Sequence, residues 1–196
     1  MAYTQEKQVA VEAAIAAAKL CQQVRLTITP EAIEKKDKSP VTIADLGAQA
    51  LICRALAAAF PNDPVVGEED AAMLRQPEMA EKLSQVQKYV NAIAPGATAD
   101  QVIDWIDHGN GQVSDRYWTL DPIDGTKGFL RQDQYAVALA LVEKGDIKVG
   151  VLACPALTFA GSAGTLFVAV QGEGAAQKAL DSPTAEPIRV ADSANP

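Results

Sequence analysis

The stretch Trp118-Thr119-Leu120-Asp121-Pro122-Ile123-Asp124-Gly125-Thr126-Lys127-Gly128-Phe129-Leu130-Arg131 carries more information than any other in the chain. An apolar, strand-like lead-in ends on two carboxylates three residues apart, in a turn built by Pro122 and Gly125. A hydroxyl and an ammonium follow at once. So many polar groups in one turn suit a divalent metal beside a phosphate better than a buried structural segment. Taken alone, Asp-Pro-x-Asp-Gly is also a run of common turn residues, and other parts of the chain must separate the two readings.

The bulk numbers narrow the field. A chain of 196 residues fits one domain, or one domain and part of another. Its 48% hydrophobic content is enough for a globular core, and aromatics are only 5% while Ala is abundant, so helices should pack through small side chains. A net charge of -8 argues against a nucleic-acid backbone or an anionic membrane as partner. A small phosphorylated substrate remains open to an acidic protein if metal ions supply positive charge. Cys21, Cys53 and Cys154 are odd in number and widely spaced, which reads as buried thiols and not a disulfide framework. No apolar run is long enough for a bilayer span, and the N-terminal residues lack a signal peptide's basic and apolar regions, so the expected location is cytoplasmic.

Outward from the central stretch, hydrophobic periodicity predicts helices over residues 4–24, 41–60, 77–93 and 100–106. Val9, Ala13, Ala16, Ala17 and Leu20 form the expected stripe of the first, and Pro61-Asn62-Asp63-Pro64 stops the second. A polar loop is expected over residues 31–39. Val65-Val66-Gly67 reads as a short strand entering the acidic turn Glu68-Glu69-Asp70. The second half changes character: residues 134–143 and 148–153 are Val- and Leu-rich and flank Lys144-Gly145-Asp146, a hairpin signal. Further strands are expected over residues 165–170 and 187–190. Helices first and adjacent strands later imply an α/β sandwich with helices on a mostly antiparallel sheet. Near Ala175 the composition thickens in Ala, Gln, Ser, Pro and Glu, which marks an edge region or the approach to another domain.

Several chemistries drop out. The Gly-x-x-x-x-Gly-Lys-Ser/Thr loop is absent. The single His108 rules out a His-rich zinc or iron site and leaves a Ser-His-Asp triad only one candidate base. What remains is oxygen chemistry from three segments: Thr42-Ile43-Ala44-Asp45, Gly67-Glu68-Glu69-Asp70 and Asp121-Pro122-Ile123-Asp124-Gly125-Thr126. Hard oxygen donors point to magnesium, and several acids from separate segments suffice for a pair of ions that clamps a phosphate and activates water. Each segment also has a plain structural account. Thr42 and Asp45 have capping-box spacing, and Glu68-Glu69-Asp70 reads equally as a solvated turn.

Together these segments resemble the lithium-sensitive, magnesium-dependent phosphatases of the inositol monophosphatase superfamily. The likeness is strongest to the 3'(2'),5'-bisphosphate nucleotidase branch. Ser39-Pro40-Val41-Thr42-Ile43-Ala44-Asp45, Val66-Gly67-Glu68-Glu69-Asp70 and the opening stretch carry the resemblance. Lys127-Gly128-Phe129-Leu130-Arg131 is the nucleotidase-like form of the segment after Gly-Thr. Gln134-Tyr135-Ala136-Val137-Ala138-Leu139 and Gly150-Val151-Leu152-Ala153-Cys154-Pro155 extend it.

The resemblance implies a fold like that of inositol monophosphatase and fructose-1,6-bisphosphatase. It implies that Glu68, Asp121, Asp124 and the carbonyl of Ile123 ligate magnesium, two or three ions in a complete enzyme. It gives Asp45 and Thr126 the task of orienting and deprotonating the attacking water, and the amides of Gly125 and Thr126 that of holding the phosphate. Glu69 and Lys127 are further candidates at the site. Lys127 and Arg131 could equally assist a second phosphate or be solvated. The implied reaction removes the 3'-phosphate of 3'-phosphoadenosine 5'-phosphate, with its sulfated form and inositol phosphates as alternative substrates. A catalytically incomplete metal-binding module is the alternative from another class.

The chain departs from that pattern in one respect. The family carries a later Trp-Asp-x-x-Ala-Gly motif whose Asp completes the metal site, and neither Trp105 nor Trp118 begins it. The expectation is therefore a metal-binding catalytic domain over residues 1–170 and the start of a C-terminal domain over residues 171–196. Another segment or another subunit would complete the site, and these residues alone should be weakly active or inactive.

Overall fold

The computed structural model describes residues 3–27, 33–34, 40–159 and 161–190. The polar loop expected over residues 31–39 lies outside the described residues apart from Ile33 and Glu34, as does the closing stretch 191–196.

The chain begins with α1 (Thr4–Thr27), followed by the two-residue strands β1 (Ile33–Glu34) and β2 (Pro40–Val41), which pair antiparallel. Then come α2 (Ile43–Ala59) and β3 (Val65–Gly67). Two single turns of 3-10 helix at Met73–Arg75 and Pro77–Met79 lead into α3 (Ala80–Ile93) and α4 (Ala99–Asp107). The rest is mostly sheet: β4 (Arg116–Asp124), a short α5 (Thr126–Leu130), β5 (Ala136–Glu143), β6 (Asp146–Phe159), β7 (Ser162–Val170), β8 (Gly174–Ala179) and β9 (Glu186–Ile188).

Strands β3 to β9 form one seven-stranded sheet in sequence order. Only β3 and β4 run parallel, because the chain between them crosses over through α3 and α4. Helices α1 and α2 cover one face of this sheet, with α1 on β5, β6 and β7 and α2 on β3 and β4. Helices α3 and α4 pack on α2 from outside. α2 is therefore enclosed on nearly every side, and Ile43 through Cys53 are all buried. This is why α2 is apolar around much of its circumference instead of along one stripe.

Small side chains set the helix spacing. Ala10, Ala13, Ala14, Ala17 and Ala18 of α1 are buried, and a Cβ added to Gly47 of α2 would stand 3.0 Å from Leu20 Cδ1. The buried face of α1 runs through Ala10, Ala14, Ala18 and Cys21, leaving Val9 and Ala16 at its margin. The stripe expected from the sequence is thus rotated slightly. The cysteines are free and buried.

Boundaries move where caps decide them. Val41 belongs to β2, and α2 starts one residue after the cap Thr42. Pro77 opens a 3-10 turn, and α3 itself begins at Ala80. β6 is much longer than its apolar centre, since its ends pair with β5 and β7 irrespective of side chain. β8 was not legible as a strand: Gly174, Ala175, Ala176, Gln177, Lys178 and Ala179 have little β-propensity, and pairing with β7 and β9 orders them. The division expected after residue 170 falls at the end of β7, with β8 and β9 continuing the same sheet.

Candidate active site

The three acidic segments meet at one end of the sheet, and each arrives for a different reason. Gly67 of β3 lies beside Leu120 of β4 in parallel register, so the residues that follow, Glu68 just past β3 and Asp121 still within β4, stand side by side. The carboxyl of Asp121 is close enough to that of Glu68 for the two to interact strongly.

Asp121 and Asp124 should point to opposite faces of a regular strand, being three residues apart. They do not, because β4 is bulged: Asp121 pairs with Ala138 and Asp124 with Ala136, so three steps on β4 match two on β5. The extra residue returns Asp124 to the face of Asp121. Pro122, which has no N–H to donate, sits in the bulge, and the Ile123 N–H turns inward to Asp121 Oδ1 at 3.1 Å.

Beyond the bulge, Gly125 takes φ 91°, ψ 40°, a left-handed conformation natural to glycine. The chain then enters α5. This one-and-a-half-turn helix is held by Phe129, which is fully buried and meets Tyr135 edge-on at 4.9 Å. Gly128 lets it approach the following segment: a Cβ there would stand 2.5 Å from the carbonyl oxygen of Gln134.

Asp45 comes from the first turn of α2 and is almost wholly buried. Its Oδ2 accepts the Thr42 N–H at 2.7 Å and the Thr42 hydroxyl at 2.6 Å, and Thr42 Oγ1 in turn accepts from Ala44 N. The capping box is thus formed. It occupies only one oxygen of Asp45, while the other, Oδ1, stands 3.5 Å from the hydroxyl of Thr126. That hydroxyl also lies 3.2 Å from the carbonyl oxygen of Ile123.

The electrostatics are those of acids crowded together. Burial, then the charge of and hydrogen bond to Glu68, then the charge of Asp124, push the Asp121 carboxyl up to about 7. Burial pushes Asp45 up to about 6, against the hydrogen bonds from Thr42, which favour its charged form. Lys127 is exposed, and no ion pair to it is found among the described residues. Arg131 pairs with Asp133 at 3.0 Å in solvent.

Such a row of hard oxygen donors with an added main-chain carbonyl fits a divalent cation of the magnesium or calcium type. The row is open. Among the described residues no three His, Cys, Asp or Glu side chains converge closely enough to enclose an ion.

Glu69, unlike the exposed Glu68 beside it, has little contact with solvent. Its backbone is clamped by the side chain of Gln49. Asp70 Oδ1 accepts the Ala72 N–H at 2.8 Å within the same turn. Behind them Asp107 accepts the Ala71 N–H at 2.8 Å and pairs with Arg75. Sequence reasoning missed Gln49 and Asp107. The available signal for Gln49 was a lone amide between Leu46 and Leu51 in an otherwise apolar run.

The sequence model of the inositol monophosphatase family matches residues 3–195. The chain belongs to the inositol monophosphatase family. Among its relatives, a 3'(2'),5'-bisphosphate nucleotidase 1 of Arabidopsis thaliana is 41% identical over 215 residues, covering 97% of this chain and 61% of that protein. A 3'(2'),5'-bisphosphate nucleotidase of Schizosaccharomyces pombe is 40% identical, covering 97% of this chain and 60% of its own length. The chain thus spans about three-fifths of the length of these relatives. A solved inositol monophosphatase (IMPase) structure from Thermotoga maritima superposes with a TM-score of 0.65 at 24% identity, over 97% of this chain and 56% of that one. A further family member, CysQ from Bacteroides thetaiotaomicron, gives 0.53 at 22% identity, over 98% and 60%. These likenesses establish the fold: helices on a mostly antiparallel sheet, as in inositol monophosphatases. No helix among the described residues is long and apolar enough to cross a membrane.

Proposed function

We propose that this chain carries the catalytic acids of a magnesium-dependent phosphomonoesterase. Its substrate is 3'-phosphoadenosine 5'-phosphate, which loses the 3'-phosphate to give AMP. The observation that carries the reading is the Asp45–Thr126 contact beside the row formed by Glu68, Asp121 and Asp124. The choice of substrate rests on the names of the relatives near 40% identity.

In this reading Glu68, Asp121, Asp124 and the Ile123 carbonyl hold the cation, and one further oxygen ligand comes from outside these residues, from another segment or another subunit. A bound divalent cation there supplies charge to the phosphate oxygens and lowers the pKa of water. Asp45 Oδ1 accepts the Thr126 hydroxyl proton, which turns Thr126 Oγ1 into an acceptor facing the water that attacks phosphorus. The Thr42 donors hold Asp45 Oδ2, so Oδ1 keeps its aim during that transfer. The backbone amides of Gly125 and Thr126, at the start of α5 where no intrahelical acceptor exists, take the phosphate oxygens. Lys127 is free to meet a second phosphate. The free, buried thiols accord with a cytoplasmic location.

The test is phosphate release from 3'-phosphoadenosine 5'-phosphate and from inositol 1-phosphate, with magnesium, by the protein expressed from its full reading frame. Preference for the nucleotide supports the reading. Preference for inositol phosphate replaces it with an inositol phosphatase, and no turnover of either points to a metal-binding module.

A further inference from the structure

Gln49 is an uncharged polar side chain, fully buried in the most apolar helix of the protein. Among the described residues its amide bonds only to backbone. Oε1 accepts the Glu69 N–H at 3.0 Å, and Nε2 donates to the carbonyl oxygens of Glu69 and of Ile106, the latter at 2.9 Å. One side chain thus satisfies both backbone groups of Glu69 and ties them to the end of α4. The surroundings are cut to fit it. A Cβ at Gly67 would stand 2.6 Å from Gln49 Oε1, and one at Gly109 would stand 2.5 Å from Nε2. These two glycines are joined by a 2.7 Å bond from Gly67 N–H to the Gly109 carbonyl. Ordinarily the far end of a Gln yields to such a neighbour. Here three hydrogen bonds and complete burial hold it.

Glu68 lies between Gly67, which packs on this amide, and Glu69, which is bonded to it twice. Its own side chain is exposed. We propose that Gln49 is a positioning residue for the acid row, fixing the carboxyl end of β3 so that Glu68 stands beside Asp121. The proposal rests on the reading of Glu68 and Asp121 as cation ligands. Groups that orient ligands without touching the ion typically change metal affinity about 10–100-fold when removed.

The experiment measures the midpoint for Mn²⁺, read by the loss of the free-ion EPR signal, on the protein from its full reading frame. Melting temperature without metal is recorded alongside. Gln49→Met keeps the volume and removes all three hydrogen bonds. Its expected effect is a midpoint raised about tenfold or more. Leu166→Ala, in the sheet core on β7, lowers melting and is expected to leave the midpoint within about twofold, as loss of stability alone should. Gly109→Ala pushes the same amide from behind through one methyl group, and serves if Gln49→Met does not fold; it too should raise the midpoint. A Gln49→Met protein that melts lower yet binds Mn²⁺ as the unsubstituted protein does would overturn the proposal, leaving Gln49 a purely structural amide. If Glu68→Gln and Asp121→Asn also fail to move the midpoint, the ligand reading itself is wrong and the inference falls with it. If those two move it and Gln49→Met does not, only the inference falls.

Discussion

The hydroxyl of Thr126 stands 3.5 Å from Asp45 Oδ1, joining the first turn of α5 to the first turn of α2 across 81 residues of chain. The same hydroxyl is 3.2 Å from the Ile123 carbonyl, so a single proton has two acceptors within reach. Of the two, only Asp45 is a base that can take that proton. Thr126→Val keeps the shape and removes the proton carrier. We expect kcat to fall about 10²–10⁴-fold with little change in KM, the range for a lost general-base relay. Steady-state kinetics on the full-reading-frame protein check this, and an unchanged kcat would remove Thr126 from the mechanism.

The pH dependence of stability follows from Asp121. Its carboxyl is pushed up to about 7 in the folded chain by burial and by Glu68 and Asp124. In the unfolded chain it titrates near the ordinary carboxylate value of about 3.9. The folded state therefore binds this proton more tightly, and the associated stability is fully present below about pH 4 and lost as pH rises through about 7. Asp45, pushed up to about 6 by burial, acts in the same direction. Without divalent cation, Asp121→Asn should gain melting temperature over the unsubstituted chain as pH goes from about 5 to about 8. Added magnesium should reverse the sign at the higher pH, since it favours the ionised row. A difference that stays flat with pH counts against the crowded-acid geometry.

Gly128 is required by space, not by backbone conformation. A Cβ there would stand 2.5 Å from the Gln134 carbonyl oxygen, a main-chain atom that cannot swing aside. Gly128→Ala should destabilise by about 1–3 kcal/mol, the usual range for overpacking. It should also lower activity by shifting α5 and with it Thr126. Denaturant unfolding and the same kinetic assay read both effects. Normal activity at reduced stability would mean that Thr126 is held from elsewhere.

Arg116 ties three elements together. It bonds to Glu6 of α1, to Asp63 after α2 and to Glu143 of β5, and Trp118 donates to the same Asp63. Arg116→Met leaves three part-buried acids without this cation and should cost about 1–2 kcal/mol, more than an exposed pair and less than a fully buried one. Denaturant unfolding measures this, and a loss below about 0.5 kcal/mol would show that solvent screens the cluster.

The fold was legible where side chains repeat with a period. α1, α2 and the β5–β6 hairpin stand close to where alternation and turn residues place them. β8 was hidden because strand formation there comes from its neighbours and not from its own composition. α5 was hidden because five residues after Gly125, with Gly128 among them, are too few to show a helical period, and burial of Phe129 holds them.

The same division runs through the site. Which groups are available was readable in one dimension. Acids, a hydroxyl and turn-forming residues at those spacings announce oxygen chemistry, since donor type and local turn geometry are properties of short segments. Which of them meet was not. Asp121 and Asp124 share a face only through a bulge set by the pairing of β4 with β5, and Glu68 reaches them only through the parallel register of β3. Glu69, identical in chemistry to its neighbour, is buried, and its backbone is held by an amide 20 residues earlier in the chain. Contacts between distant segments depend on strand register and helix packing, which belong to the folded whole and leave no local mark on the residues concerned.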